Sequence, residues 1–305
     1  MLDHAALVSD DAIVFMVEQL GGVARRAVLE ARFGRSGLEL AVAAGRLRRV
    51  ARGRYATYDV DDSVVAARAV TAVISGLSAA QWWGWPIKTP PRAPVVTVAR
   101  NRAVRRAGVT VRRQDLPSGA VVDGLVTSRA QTVIDCARFL PFDEALCVAD
   151  SALRDPRVSR SDLIAAATAS PRSGRRRAVR VVDLADPRAD NPFESCVRDV
   201  ALDVPGLQVV PQHQVGGHGW ADLVDPVLRI VIECDSWAYH SGEELFTRDV
   251  RRYTDMVRSG WLVVRFVWED AMHRQDRVRQ ALLDVVALRL AERGRALSSP
   301  IPTKR

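Results

Sequence analysis

Leu228–Asp235 is a strongly apolar run that ends in two carboxylates. Read as a strand, its period-two alternation sends Ile230, Ile232 and Cys234 to one face and Val231, Glu233 and Asp235 to the other. Two carboxylates on one face of an apolar strand are costly unless they are paired or hold a cation. Asp222 lies in the preceding strand-like stretch, Trp220–Val224, and antiparallel pairing across Asp225-Pro226 brings it beside Glu233. Clustered carboxylates holding Mg²⁺, with Mn²⁺ as a substitute, suit phosphodiester hydrolysis, because the ion polarises the phosphate and acidifies a bound water. The plainer reading makes Asp222 a turn residue before Asp225-Pro226.

The elements that must position these groups follow from local signals. Asn191-Pro192-Phe193-Glu194 opens a helix, with Asn at the cap, Pro at the first position and Glu at the third, where Glu194 can close a capping box. A strand over Gln208–Val215, the two strands already named, a helix over Glu243–Arg258, a strand at Trp261–Val267 and an amphipathic helix over Asp276–Arg293 make an α/β core. The clearest boundary before it is Asp186–Asn191.

At the other end, Asp10 or Asp11 caps a first helix that runs to Leu20 and stops at Gly21-Gly22. A second helix covers Arg25–Arg32, and Ser36-Gly37-Leu38-Glu39 is a capping box opening a third over Gly37–Ala44. Leu47–Tyr58 reads as strand, glycine turn, strand. Three short helices and a hairpin form a winged-helix arrangement. Nine arginines between Arg25 and Arg54 face only Glu30 and Glu39, a charge pattern expected for phosphate contacts. Arg25, Arg26, Arg46, Arg48, Arg49, Arg52 and Arg54 are the candidate DNA contacts. Residues 61–185 read as a middle α/β domain without a metal or nucleophile constellation, and Trp82, Trp83 and Trp85 are expected in its core or at an interface. The expected domains are therefore 1–60, 61–185 and 190–295.

The whole chain has 305 residues, a net charge of +8, 48% hydrophobic and 26% charged residues, which excludes wholesale disorder. No run approaches a membrane-spanning length and the start lacks a secretory pattern, so a cytoplasmic protein with no membrane partner is expected. The four cysteines avoid C-x-x-C spacing, arguing against a zinc knuckle or a disulfide framework. Of the 44 basic residues only Lys88 and Lys304 are lysine. No organic cofactor is suggested, and a homo-oligomer stays open.

Asp222 followed after ten residues by Glu233-x-Asp235 resembles the PD-(D/E)xK nuclease superfamily, and Ile232–His240 with Arg248–Tyr253 and Gly260–Phe266 is similar to the very-short-patch repair endonucleases. The N-terminal region resembles the winged-helix antitoxins of abortive-infection systems, on Gly21-Gly22, Gly45–Val50 and Gly53-Arg54-Tyr55. The first resemblance implies a restriction-endonuclease-like core with Asp222 as the main metal carboxylate and Glu233 and the Cys234 carbonyl beside it. It implies His240 as a catalytic histidine, Glu194 as holder of a metal-bound water, and Asp249 and Arg252 as a charged pair whose arginine stabilises phosphate charge, with Asp235 and Arg252 counted among the catalytic residues. Trp237 and Tyr239 match base-stack wedges, and Arg248 is expected on DNA. The superfamily's lysine position is Asp235 here, and no lysine lies between 88 and 304. Two readings follow: a Mg²⁺-dependent DNA endonuclease in repair or defence, or a transcriptional regulator or antitoxin-like DNA-binding protein whose nuclease fold has lost catalysis. In the second, Arg248 or Arg252 fills the cation's place.

Overall fold

The structure, a computed structural model, describes residues 4–235 and 243–298, with side chains over 11–235 and 247–295. The described residues are mixed α/β with three sheets. The chain divides into two units, one of residues 1–84 and 90–135, the other of residues 85–89 and 136 onward. The expected boundary at Asp186–Asn191 therefore falls inside the second unit.

The first unit begins with α1 (His4–Gln19), β1 (Val23–Arg25), α2 (Arg26–Ala43), β2 (Arg48–Ala51) and β3 (Arg54–Ala56). α1 starts ahead of the expected cap: Asp10 and Asp11 lie within it, and Asp11 pairs with Arg46 instead. It stops at Gly21 and Gly22, whose φ values of 81° and 80° suit glycine alone, and a Cβ on Gly22 would collide with Val60. The two expected helices lie in the span α2, separated by a non-helical break at Gly34 (φ 71°, ψ 167°) where the sequence places it. Glu39 pairs with Arg35 at 2.8 Å rather than serving a cap. β1, too short to show alternation, joins β3 in an antiparallel sheet of order β1-β3-β2. Ile13, Val17, Leu29, Leu38 and Leu47 form the core beneath it.

The same unit continues through α3 (Asp62–Val70), β4 (Val73–Ile74), α4 (Gly76–Trp82), β5 (Val95–Val98), β6 (Thr110–Arg113), β7 (Val121–Val122), β8 (Val126–Thr127) and the start of α5 (Arg129–Phe139). Its mixed five-stranded sheet has the order β6-β5-β4-β8-β7, and β5 is buried at every position. Trp83 donates to the Thr127 carbonyl at 3.1 Å under the Arg129 guanidinium, while Trp82 is exposed.

The second unit holds α6 (Phe142–Arg154), α7 (Arg160–Ala169), α8 (Arg175–Leu184), α9 (Pro192–Leu202), β9 (Val210–Gln214), β10 (Trp220–Asp225), β11 (Ile230–Asp235), α10 (Glu243–Arg258), β12 (Leu262–Val267), α11 (Trp268–His273) and α12 (Gln275–Ser298). After Asn191, α11 is an addition to the expected elements. β9, β10 and β11 pair antiparallel, and the α10 crossover makes β12 parallel to β11, giving the order β12-β11-β10-β9. The alternation read from the sequence sorts the sheet. Ile230 and Ile232 pack with Phe193 and Val197 of α9 and Val278 and Leu282 of α12, whereas Val231 packs with Val224 and Met256. Among the described residues no helix is long and apolar enough to cross a membrane.

Candidate active site

Strands β10 and β11 deliver Asp222, Glu233 and Asp235, and the first turn of α9 delivers Glu194. The β10–β11 ladder runs from Asp225↔Ile230 to Leu223↔Ile232. Just past its end, Asp222 Oδ2 accepts the Cys234 amide at 2.7 Å, a side chain taking over a donor the ladder has released. The turn role falls to Asp225, which accepts the amides of Val227 and Leu228 at 2.9 and 2.8 Å. Asp222 is a strand residue facing the site.

Gln212 of β9 ties the acids together. Its Nε2 donates to Glu194 Oε2 at 3.1 Å and to Asp222 Oδ1 at 3.2 Å. It does so from φ 44°, a left-handed conformation uncommon outside glycine. Glu194 also caps: Asn191 Oδ1 accepts its amide at 3.1 Å, and its carboxylate accepts Asn191 Nδ2 at 2.7 Å and the Asp190 amide at 2.9 Å. Its structural and site roles coexist.

Glu233 is the least satisfied of the group. It is only 5% exposed, and Arg252 Nη2 stands 3.0 Å from its Oε1, yet that contact is a charge pair without hydrogen-bond alignment. Burial, then repulsion from Asp222, pushes its pKa up to about 8. The same two causes raise Glu194 to about 7. Burial also lifts Asp222, against the pull of the Cys234 amide and Gln212. Asp235 is offset by Arg265 Nε at 2.6 Å, the residue beside Glu233 on the parallel strand, and the Arg265 guanidinium lies 4.3 Å from the Tyr253 ring. Arg252 also donates to the carbonyls of His218, at 3.0 Å, and Trp220. Its carboxylate partner is Glu233, and the expected pairing with Asp249 is not its role.

Glu194, Asp222, Glu233, Asp235 and Arg252 line one cavity of about 650 Å³ with Asp249, Tyr253, Trp268 and Lys88. Lys88 comes to this cavity from far upstream and is ion-paired with Asp143. Burial works to lower its pKa, but the ion pair with Asp143 prevails and raises it, so it is a fixed positive charge and not a base. The Cys234 side chain packs against the apolar core, and burial pushes its thiol well up, leaving only its backbone for the site. Trp237, Tyr239 and His240 lie outside the described residues. Arg248 is exposed, 4.0 Å from Asp249. Among the N-terminal candidates, Arg26 pairs with Glu30 at 2.7 Å, Arg46 with Asp11 and Arg48 with Asp62 at 3.7 Å, while Arg49 and Arg52 make no ion pair with the described residues.

Gln212, Arg265 and Lys88 went unread in the sequence. Alternation in β12 and the parallel register together would have pointed to Arg265, but nothing local marks Gln212 or Lys88.

No protein-family model matches the chain. Relatives include the uncharacterized proteins Rv2248 and MT2308 from two strains of Mycobacterium tuberculosis, each 34% identical over 160 residues. The match covers 50% of this chain and 59% of theirs, so the chain spans under two thirds of the length of these relatives. Among solved structures it resembles the Rv2827c protein of Mycobacterium tuberculosis, with a TM-score of 0.41 and 14% identity over 62% of this chain and 80% of that one.

Proposed function

We propose that this chain acts on DNA, with a Mg²⁺-dependent endonuclease-like core in its last third and a winged-helix-like N-terminal segment that contacts phosphates. The observation carrying the first half is Glu233: a buried carboxylate whose Oε1 has only the poorly aligned Arg252 charge pair, repelled by Asp222, in a cavity lined by four further acids. That is a site short of positive charge. Its oxygen donors suit a hard divalent cation, which would rest on Asp222 and Glu233 with the Cys234 carbonyl as a backbone donor. Among the described residues no three His, Cys, Asp or Glu side chains gather closely enough to hold an ion by themselves. When bound, the cation supplies Lewis acidity to a phosphate oxygen and lowers the pKa of water. Glu194, raised to about 7, is poised to take a proton from an attacking water near neutral pH, and Gln212 fixes its orientation. Lys88 adds fixed positive charge for the phosphate. The helix order and β1-β3-β2 sheet support the winged-helix half.

Incubating supercoiled and linear duplex DNA with Mg²⁺, Mn²⁺ or EDTA tests the reading. Metal-dependent cleavage lost in Asp222→Asn supports it, and its absence with both metals overturns it. One observation favours the second reading, a DNA-binding regulator with a silent core: Arg252 already stands 3.0 Å from Glu233, where it can replace the cation. On that reading the protein binds DNA without cutting it, and Mg²⁺ leaves its stability unchanged.

A further inference from the structure

The first unit holds a charge cluster of the opposite sign. Arg25 of β1 and Arg54 of β3 are direct cross-strand partners in the antiparallel register. Like charges facing each other across a strand pair are destabilising. Arg68, in the last turn of α3, adds a third guanidinium to the same cavity of about 650 Å³. Arg54 Nη2 is anchored to Thr71 Oγ1 at 2.7 Å, and burial, then repulsion from Arg25 and Arg68, lowers its pKa. The buried Arg68 Nε has no hydrogen-bond partner. No acidic residue lines the cavity, and none of the three arginines makes an ion pair with the described residues. This contrasts with Arg26, Arg35, Arg46 and Arg48 nearby in sequence, each paired with a carboxylate.

We infer that Arg25, Arg54 and Arg68 form a binding site for the phosphoryl group of a small ligand. Guanidinium groups match phosphate oxygens in charge and geometry, and an anion would relieve the cross-strand repulsion. The shape of the site separates this ligand from a DNA backbone. The remaining walls are largely apolar, formed by Leu20, Val23, Ala24, Val28, Ala72 and Val73. A cavity whose apolar walls face a few convergent charges takes a small molecule with a hydrophobic part, whereas duplex phosphates are met on open polar surfaces. The inference stands apart from the acidic site and survives if that site proves inert.

Calorimetric titration of the full chain with inorganic pyrophosphate, against KCl of matched ionic strength, is the test. Saturable binding is expected, weakened about tenfold or more in Arg68→Gln and in Arg25→Gln as charge-assisted hydrogen bonds are lost. Arg105→Gln, removing an exposed arginine outside the cavity, should leave binding intact. Either of the two cavity variants suffices if the other fails to fold. Binding no better than chloride, or equal in the wild type and both cavity variants, overturns the inference. So does competition by duplex DNA combined with loss of DNA affinity in Arg68→Gln, which would assign the cavity to the nucleic-acid backbone.

Discussion

Two buried acid–arginine pairs in the second unit have opposite fates. Asp150 of α6 is fully buried, and Arg198 of α9 reaches both of its oxygens at 2.7 and 2.8 Å. Ser195 Oγ and the Asp186 amide each add a hydrogen bond at 2.7 Å. Burial raises its pKa, but every bond it accepts opposes that rise. Glu233 has a single arginine at 3.0 Å, an oxygen without a donor, and Asp222 and Asp235 repelling it. The first carboxylate is fully bonded, with Arg198 Nε the pair's one buried atom lacking a partner, and it ties α6 to α9. The second is left open beside a cavity. Burial alone does not mark a functional carboxylate; burial with an unfilled electrostatic demand does.

The comparison breaks most sharply under substitution. On the nuclease reading, Asp222→Asn should leave the fold intact and lower Mg²⁺-dependent DNA cleavage by about a thousandfold, the several kcal/mol a polarising cation supplies. Plasmid nicking with circular dichroism as the fold control measures it, and full activity in a folded variant removes Asp222 from the chemistry. Asp150→Ala should do the reverse. It strands Arg198 in the interior and should cost about 3–5 kcal/mol of stability in urea unfolding. A loss below about 1 kcal/mol would mean that the pair is solvated.

Sequence patterning reached the elements further than it reached their partners. Alternation along Leu228–Asp235 and the Asn191 cap specify β11 and α9 locally, and both stand where expected. Glu233 and Glu194 were legible because one closes an apolar strand and the other follows the Asn191 cap, and Asp222 because its strand pairs back onto Glu233 across the Asp225-Pro226 turn. Arg265 and Gln212 were not, because their roles depend on strand register and on one residue's positive φ, which no local pattern encodes. Lys88 reaches the cavity from a segment more than a hundred residues upstream. In the N-terminal segment the arginine count overstated free charge, since it could not foresee that Asp11 and Asp62 would pair with Arg46 and Arg48.

The open pair should also make stability depend on pH. With Glu233 raised to about 8 and Glu194 to about 7, the folded chain holds more protons than the unfolded chain between the ordinary glutamate range and those values. Their contribution is complete below about pH 4.5 and is lost as pH rises toward 8, a fall on the order of a few kcal/mol. Urea midpoints at pH 5, 6.5 and 8.5 should therefore decline, with Glu233→Gln flattening the upper part. Mg²⁺ should restore stability at pH 8.5 on the nuclease reading, because it binds the ionised form. A flat profile in the wild type would show that Arg252 already neutralises the cluster.

The smallest expected effect carries the same distinction to the arginines of the N-terminal segment. Arg52, on the turn between β2 and β3, is exposed and makes no ion pair with the described residues, whereas Arg26 is held by Glu30 at 2.7 Å. A guanidinium already neutralised by a carboxylate displaces fewer counterions when it meets a phosphate. If this segment binds duplex DNA, Arg52→Gln should reduce the slope of log affinity against log salt by about 0.9, as one lost phosphate contact requires. Arg26→Gln should reduce it by less, and both losses should be alike across unrelated DNA sequences, since phosphates carry no base identity. Affinity measured from 50 to 200 mM salt for both variants decides the point. Equal slopes for Arg52→Gln and the wild type would take the β2–β3 turn off the DNA. Equal losses for Arg26 and Arg52 would mean that the Glu30 pair opens on binding, and the difference between satisfied and unsatisfied charge would then hold only in the buried interior.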